Sequence, residues 1–430
     1  MINVIGIIGA SYGDEGKGLL TDYFAYHHDD SIVCRFQGSA QAGHTVVTPD
    51  GKRHVFSHFG SGTFSNRPTL LSEFFVCHPL IFKRERMELL LKLNDTEPRV
   101  FVHKNCLVTT PIDMIINQIL EIRRDRDGSC HGSVGLGFNE TIERNLIGDF
   151  KLTVEDLRQG KEHLKTKIHH IRHNWLNNRL LSANSFDFTI AEQYLLFEPC
   201  SREQELLNCL RSDRLWFDFQ LAIDYFLDHI IVLDNYNFND YGTIIFEGAQ
   251  GLMLDQDYGV FPHVTRSNTG VKNIIKILDH IDNIETINVY YITRAYVTRH
   301  GHGPMFGEQE LPYEIIDETN KPHEFQGTIR YAPLSFNRLY DAIFTDYDQL
   351  ANASKEYSDK SMCRVAITCL DQIKDVGLCY DYLNEDIPPH LVTKRSGNEF
   401  IDILLDHANI VSYGPTRKDV VINNPLIYVD

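Results

Sequence analysis

The chain contains no uninterrupted apolar run of ~18 residues or more, which argues against a membrane-spanning helix. It is poor in positive charge: 41 basic residues against 59 acidic ones leave a formal net charge of −18. That balance disfavours nonspecific nucleic-acid or membrane binding, while leaving room for a local basic pocket that holds a small anion. The nine cysteines form no CxxC or CxxH pair, so neither a zinc site nor a disulfide framework is expected, and free thiols in a reducing cytoplasm are. No basic segment precedes the apolar residues 4–10 and no small-residue cleavage site follows them, so no secretory leader is expected. Internal repeats, low-complexity tracts and Gly/Ser linkers are absent as well.

What is present is a globular composition, with 43% hydrophobic residues of which aromatics supply 11% of the chain. At 430 residues it can build one large α/β domain or two or three ordinary ones. Short β-branched runs recur at residues 2–8 (INVIGII), 31–36, 98–103, 242–246, 287–293 and 363–369. Most are continuous rather than alternating, the mark of strands covered on both faces. Helical patterns lie between them at 84–92, 112–126, 155–181 and 215–228. The alternation predicts an α/β fold with a large, mostly parallel central sheet flanked by helices. The acidic stretch 233–241 reads as a surface connection. One domain over residues 1–430 with inserted helical lobes is the economical organisation, and a division near 200 is the alternative.

Four glycine-bearing stretches carry chemistry. The first, SYGDEGKGLLTD at 11–22, follows an apolar strand but lacks the hydroxyl that G-x-x-x-x-G-K-[ST] places after its lysine. Gly13, Gly16 and Gly18 let backbone N–H groups approach phosphate oxygens, Lys17 supplies a cation, and the following helix favours an anion at its start. Asp14 would repel phosphate, so it fits a Mg²⁺ ligand or a base acting on a substrate held against the γ-phosphate. The second, FQGSAQAGHT at 36–45, ends in Gly43 and His44; such a histidine can neutralise an oxygen during phosphoryl transfer, or simply pack. In the third, at 246–270, Glu247, Gly248 and Gln250 open the carboxyl end of a strand, where ligand sites in open α/β sheets lie. Gln250 suits a base edge that offers both donor and acceptor, and the run from Thr265 to Thr269 is either a phosphate seat or a capped turn. The fourth, HGSVGLGFNETIER at 131–144, is a weak glycine pattern by itself. Later, ITCLD (367–371) ends a strand in Asp371, whose carboxylate suits the two donors of a guanine edge, and SYGPTR follows at 412–417.

In order, these blocks resemble the adenylosuccinate synthetase family. Its Q-W-G-D-E-G-K-G is here SYGDEGKG, its A-G-H-T loop is QGSAQAGHT, its F-E-G-A-Q-G…V-T-x-S-N-T is FEGAQG…VTRSNT, its T-K-L-D is TCLD, and its S-T-G-P-x-R is SYGPTR. The resemblance implies a P-loop-like GTP-binding ligase fold that phosphorylates the 6-oxygen of a purine nucleotide and lets aspartate displace the phosphate. It implies that Asp14 is the base and a Mg²⁺ ligand, with the Gly43 carbonyl as a second ligand. Lys17, His44 and Gln250 would join Asp14 in catalysis. GTP would contact Gly13, Glu15, Gly16, Lys17, Gly18, Gly43, His44, Thr45, Asp371, Gly414 and Pro415. The acceptor nucleotide would contact Asp14, Gln41, Ser133, Arg144, Gln250 and Thr265, and L-aspartate would contact Thr328 and Arg330. Arg144 reaching across a subunit interface would make the enzyme a cytoplasmic homodimer.

The chain departs from the family where acceptor and amino acid bind. Val134 and Ser133 stand at threonine positions, Gln41 at an asparagine, and the arginine-rich T-T-G-R-R-R-R is TIRYAPL. IMP, the family's default acceptor, is still the first to expect, and GMP or dGMP, which these departures favour, the second. A diverged nucleotide-binding protein without ligase activity is the reading of another class.

Overall fold

The computed structural model describes the chain apart from residues 94–95, 129–131, 181–200, 318–326, 374–375, 381–391 and 424–430. Its framework is a ten-stranded sheet assembled from β1 (Ile2–Gly9), β2 (Ser31–Arg35), β5 (Thr69–Leu71), β7 (Val100–His103), β9 (Ile231–Leu233), β10 (Thr243–Gly251), β11 (Ile284–Arg294), β14 (Ser361–Thr368), β17 (Ile410–Ser412) and β18 (Val420–Ile422). In space they run β18-β17-β14-β11-β1-β10-β2-β5-β7-β9. All neighbours are parallel except the edge pair β17 and β18.

Each of the six apolar runs is one of these strands. Strand β1 is central, and Ile5 pairs with Ile245 on one side and Asn288 on the other. Its residues are buried almost throughout because helices cover both faces, so continuous Val and Ile are tolerated where an alternating pattern would not be. Two apolar clusters sandwich this part of the sheet: one includes Val4, Ile8, Ile274 and Ile343, the other Ile7, Leu20, Phe24 and Ile245. A third cluster lies under the helical stretch between residues 111 and 228, where Ile112, Ile116, Phe219 and Phe226 meet Phe82.

Smaller sheets complete the architecture: the hairpin β3 (His44–Val47) and β4 (Arg53–Phe56), the pair β6 (Val76–Cys77) and β8 (Leu107–Val108), and the set β12 (Tyr296–Arg299), β13 (Arg330–Ser335), β15 (Val376–Tyr380) and β16 (Val392–Ser396). None of these was apparent from composition. Two further differences have physical reasons. The expected helix over 155–181 is broken, with Val154–Arg158 and Lys161–His170 separated at Gly160, whose φ of 103° ends the first helix. The supposed surface connection 233–241 carries Phe238, which is 3% exposed and belongs to the main core.

Helix α1 (Lys17–His27) follows β1 through the first glycine loop, and Gly16 at φ 93° caps it without a side chain. Helix α2 (Pro79–Leu90) covers the β2–β5 side, and α3 (Pro111–Arg126) starts from a capping box in which Thr110 and Asp113 satisfy each other's backbone. Helix α4 (Phe138–Leu146) packs against α3. Among the described residues no helix is long and apolar enough to cross a membrane.

Candidate active site

The carboxyl ends of β1, β2 and β10 open into a cleft of ≈ 360 Å³ whose lining includes Gly13, Asp14, Gln41, Gly43, Ser133, Gln250 and Thr265. Residues expected at the acceptor and metal sites from four separate stretches are thereby gathered in one place. The sheet does this work, because parallel neighbours deliver their following loops to the same edge.

In the first loop, positive φ at Gly13 (115°) and Gly16 (93°) turns the backbone back on itself. Buried Glu15 occupies the interior: its Oε1 accepts from Gly13 N at 2.6 Å and Ser11 N at 3.2 Å, and its Oε2 pairs with Lys17 Nζ at 3.0 Å. Lys17 Nζ also donates to the Gly13 carbonyl at 2.7 Å. Lys17 is 2% exposed and braces the loop through this pair, since an unpaired buried charge would cost several kcal/mol. Gly9 leaves room for this pair; a Cβ would stand 2.3 Å from Glu15 Oε2 and displace it. Gly18 brings α1 against the second loop; a Cβ there would lie 3.0 Å from the Thr45 carbonyl.

Asp14 lines the cleft with its side chain 25% exposed, and His300 Nε2 stands 3.7 Å from its Oδ2. Burial raises the Asp14 carboxyl above its ordinary value, although His300 and Arg294 pull the other way. Arg294 also donates to the Asp14 carbonyl and pairs with Asp317 at 3.3 Å. Opposite, Gln250 carries a buried Oε1 with no hydrogen-bond partner, as does Thr265 at Oγ1.

His44 is built differently. Its Nδ1 meets Glu247 Oε1 at 2.6 Å, and Glu247 also accepts from Ser61 N at 3.0 Å and from Ser61 Oγ. Burial would raise Glu247, but His44, Arg35 and Ser61 outweigh it and hold the carboxyl well below the usual range. Burial first, then Arg35, lowers His44, so its neutral form donates Nδ1–H to Glu247 and leaves Nε2 without a partner. Sequence reasoning singled out Glu247 only as part of a strand mouth and missed Arg35 and Ser61. A signal existed: Arg35 is a charged residue inside a continuous apolar strand.

Arg144 is engaged within the chain. It is wholly buried, forms an ion pair with Asp113 at 2.9 Å, and donates to the carbonyls of Phe150 (2.6 Å) and Val108 (2.7 Å). In the single chain described, its guanidinium is held among residues of its own subunit. Arg330 is likewise engaged, with Glu308 at 2.5 Å and the Gly301 and Gly303 carbonyls at 2.7 and 2.9 Å, while Thr328 is exposed. Asp371 is exposed just beyond β14 and accepts from Gln372 Nε2 at 2.7 Å. Gly414 and Pro415 follow β17, the parallel neighbour of β14, so these three stand at one edge of the sheet. His300, Arg299 and His302 also line the cleft and were not anticipated.

A Mg²⁺ ion fits the donor set in a limited sense. Asp14 offers one carboxylate to the cleft and Gly43 lines it beside, but no group of three or more His, Cys, Asp or Glu among the described residues could hold a metal. Such a site suits an ion carried mainly by substrate phosphates.

The adenylosuccinate synthetase family model matches residues 6–390. Among curated proteins, the adenylosuccinate synthetase of Wigglesworthia glossinidia brevipalpis is 27% identical over 395 residues, covering 89% of this chain and 80% of its own. That of Candida glabrata is 30% identical over 406 residues, covering 91% and 85%. Among solved structures, the fully ligated adenylosuccinate synthetase of Plasmodium falciparum aligns with a TM-score of 0.69 at 19% identity, over 98% of this chain and 100% of that one. A cyanophage S-2L succinoaminodeoxyadenylate synthetase, bound to dGMP and to dATP as energy donor, aligns with a TM-score of 0.53 at 17% identity over 98% and 96%. At these identities the two structures speak for the fold.

Proposed function

The chain belongs to the adenylosuccinate synthetase family, whose members are C–N ligases, and from that premise we propose a GTP-dependent joining of L-aspartate to C6 of a purine nucleoside monophosphate, IMP first. The observation that carries the reading is Asp14, a carboxylate raised by burial and presented to the cleft beside the orphaned Gln250 amide oxygen.

The chemistry needs these groups together. An oxo group leaves C6 only after it is phosphorylated. Asp14 takes the N1 proton, the electron pair moves to O6, and O6 attacks the γ-phosphorus of GTP while the bond to the bridging oxygen breaks and GDP departs. The aspartate amine then adds to C6 and inorganic phosphate leaves, giving adenylosuccinate. A carboxylate shifted upward accepts that proton more readily than one at its ordinary value. Glu247 fixes the orientation of His44 through Nδ1, and Nε2, once protonated from solvent in the presence of the GTP phosphates, would donate to the oxygen on which negative charge builds. Glu15 and Lys17 keep the first loop closed while the first-turn amides of α1 receive donor phosphate. Bound Mg²⁺ would be held by Asp14 and the Gly43 carbonyl and neutralise charge on those phosphates. Asp371, with Gly414 and Pro415 beside it, would select guanine.

Incubation with GTP, aspartate and each purine monophosphate, ribo and deoxy, read by mass spectrometry, tests the reading. Adenylosuccinate formed from IMP is the expected result. Product from GMP or dGMP alone would move the acceptor assignment, and no product from any of them would leave a nucleotide-binding protein without ligase activity.

A further inference from the structure

The segment between β10 and the helix Val271–Leu278 reaches the cleft and returns to the core, and its middle is thinly packed. Val260 is 56% exposed and Phe261 78%, while Pro262, Val264 and Thr265 line the cleft. A stretch with so little buried area takes its conformation from the points at which it is tied down. Its stem is closed from within, where Asp255 Oδ2 accepts from Thr269 N at 2.6 Å and from Thr269 Oγ1 at 3.2 Å. The outer ties converge on one distant carboxylate.

That carboxylate is Asp346, wholly buried on the helix Phe336–Ala353. Its Oδ1 accepts from the Tyr258 hydroxyl at 3.2 Å and its Oδ2 from the Tyr291 hydroxyl on β11 at 2.8 Å. Both oxygens face the Val271 amide, at 3.0 and 3.1 Å, which is the first N–H of the helix that follows the segment. Gly270 admits this approach, since a Cβ there would stand 1.7 Å from Asp346 Oδ1. Asp346 therefore holds the segment on both sides of its cleft-lining residues, and Tyr291 fixes the carboxylate to the central sheet. The titratable groups that face it are the Tyr258 and Tyr291 phenols, the Asp255 carboxylate and the Cys363 thiol of β14, none of them a cation. Burial pushes the carboxyl up to about 7, against the hydrogen bonds from Tyr291, Val271 and Tyr258.

We propose that Asp346 is a positioning residue for the reaction: through the Tyr258 hydroxyl and the Val271 amide it holds the 258–271 segment, and with it the cleft-lining residues, in the conformation that receives the acceptor. This rests on the acceptor reading above. An ionised carboxylate accepts from all three donors, whereas a protonated one gives up lone pairs where those donors converge. The hold thus tightens as pH rises through about 7.

The test is the steady-state rate of phosphate release, with GTP and aspartate saturating and IMP varied (or whichever purine monophosphate the wild type turns over). Tyr258→Phe removes one tie from a 37%-exposed residue and should raise KM for the acceptor about three- to tenfold. Asp346→Ala removes both ties and should raise it about 10- to 100-fold, with Gly270→Ala close behind. In each, kcat and KM for GTP stay within about twofold, a split that general loosening of the fold would not give. The acceptor KM ratio of Asp346→Asn to wild type should be about tenfold at pH 8 and shrink towards one at pH 6. Taking the ratio cancels titration of the acceptor phosphate. A ratio that is flat or grows in acid overturns the proposal, as does an equal rise in KM for acceptor and GTP. If wild type turns over a monophosphate and Tyr258→Phe and Gly270→Ala match it, the positioning role fails while the acceptor reading stands. Turnover of none overturns both.

Discussion

Two acid–imidazole pairs stand in this protein a short way apart, and their environments are opposite. Glu247 and His44 meet at 2.6 Å with side chains 0% and 4% exposed, and Ser61 holds the same carboxylate. Asp14 and His300 stand 3.7 Å apart with side chains 25% and 17% exposed, facing a cleft. The carboxyl is lowered in the first pair and raised in the second. A carboxylate that accepts several hydrogen bonds and faces a buried guanidinium is locked in its charged form and serves as an orienting group. One that is desolvated and loosely partnered binds a proton more tightly, which is what a base requires. Proximity of acid to imidazole is shared, so the difference lies in what else surrounds each carboxylate.

The comparison breaks most sharply at Asp14. Asp14→Asn should reduce kcat by about 10³-fold while GTP affinity holds, measured by phosphate release and by titration. Its melting temperature should be equal to or above that of wild type. With the folded pKa raised, the ionised group costs stability above that pKa, and a neutral side chain relieves the cost. A rate near wild type would remove Asp14 from the mechanism.

Glu247→Gln should do the reverse. It strands Arg35, whose Nε and Nη2 already lack hydrogen-bond partners, and should destabilise by about 3 kcal/mol in urea unfolding. It should also lower kcat by on the order of 10²-fold with KM for both nucleotides retained, because His44 loses its fixed tautomer. An unchanged urea midpoint would mean that the pair is not structural.

The smallest effect is a pH dependence. Glu247 is lowered from 4.5, so its contribution is complete above that value and is lost as pH falls below it. The stability gap between wild type and Glu247→Gln should therefore hold from neutral pH to about pH 4.5 and narrow between there and about pH 2, followed by urea midpoints. A gap that widens in acid would reverse the assigned direction.

Much of the framework was legible from residue order. Continuous Val and Ile runs identify strands buried on both faces, and each of the six is a strand of the main sheet. The hairpin from His44 to Phe56 was not legible, because its short strands mix polar and apolar residues without a clean period. At the site, Asp14, Gln41, Gly43, Ser133, Gln250 and Thr265, most of them assigned through the family resemblance, line one cleft, and Arg144 of the same set does not. Residue types did not foretell which cations are free, and Lys17 and Arg144 both proved to be engaged internally.

The amino-acid sequence by itself determined the parallel sheet, the glycine loops at its strand ends and the family to which the chain belongs, because strand propensity, positive φ and motif spacing are local properties. Tertiary structure alone decided the charge state and purpose of each ionisable group. His44 meets Glu247 across 203 positions and Arg144 meets Asp113 across 31, and a side chain's protonation and freedom follow from such distant partners and from the water they exclude.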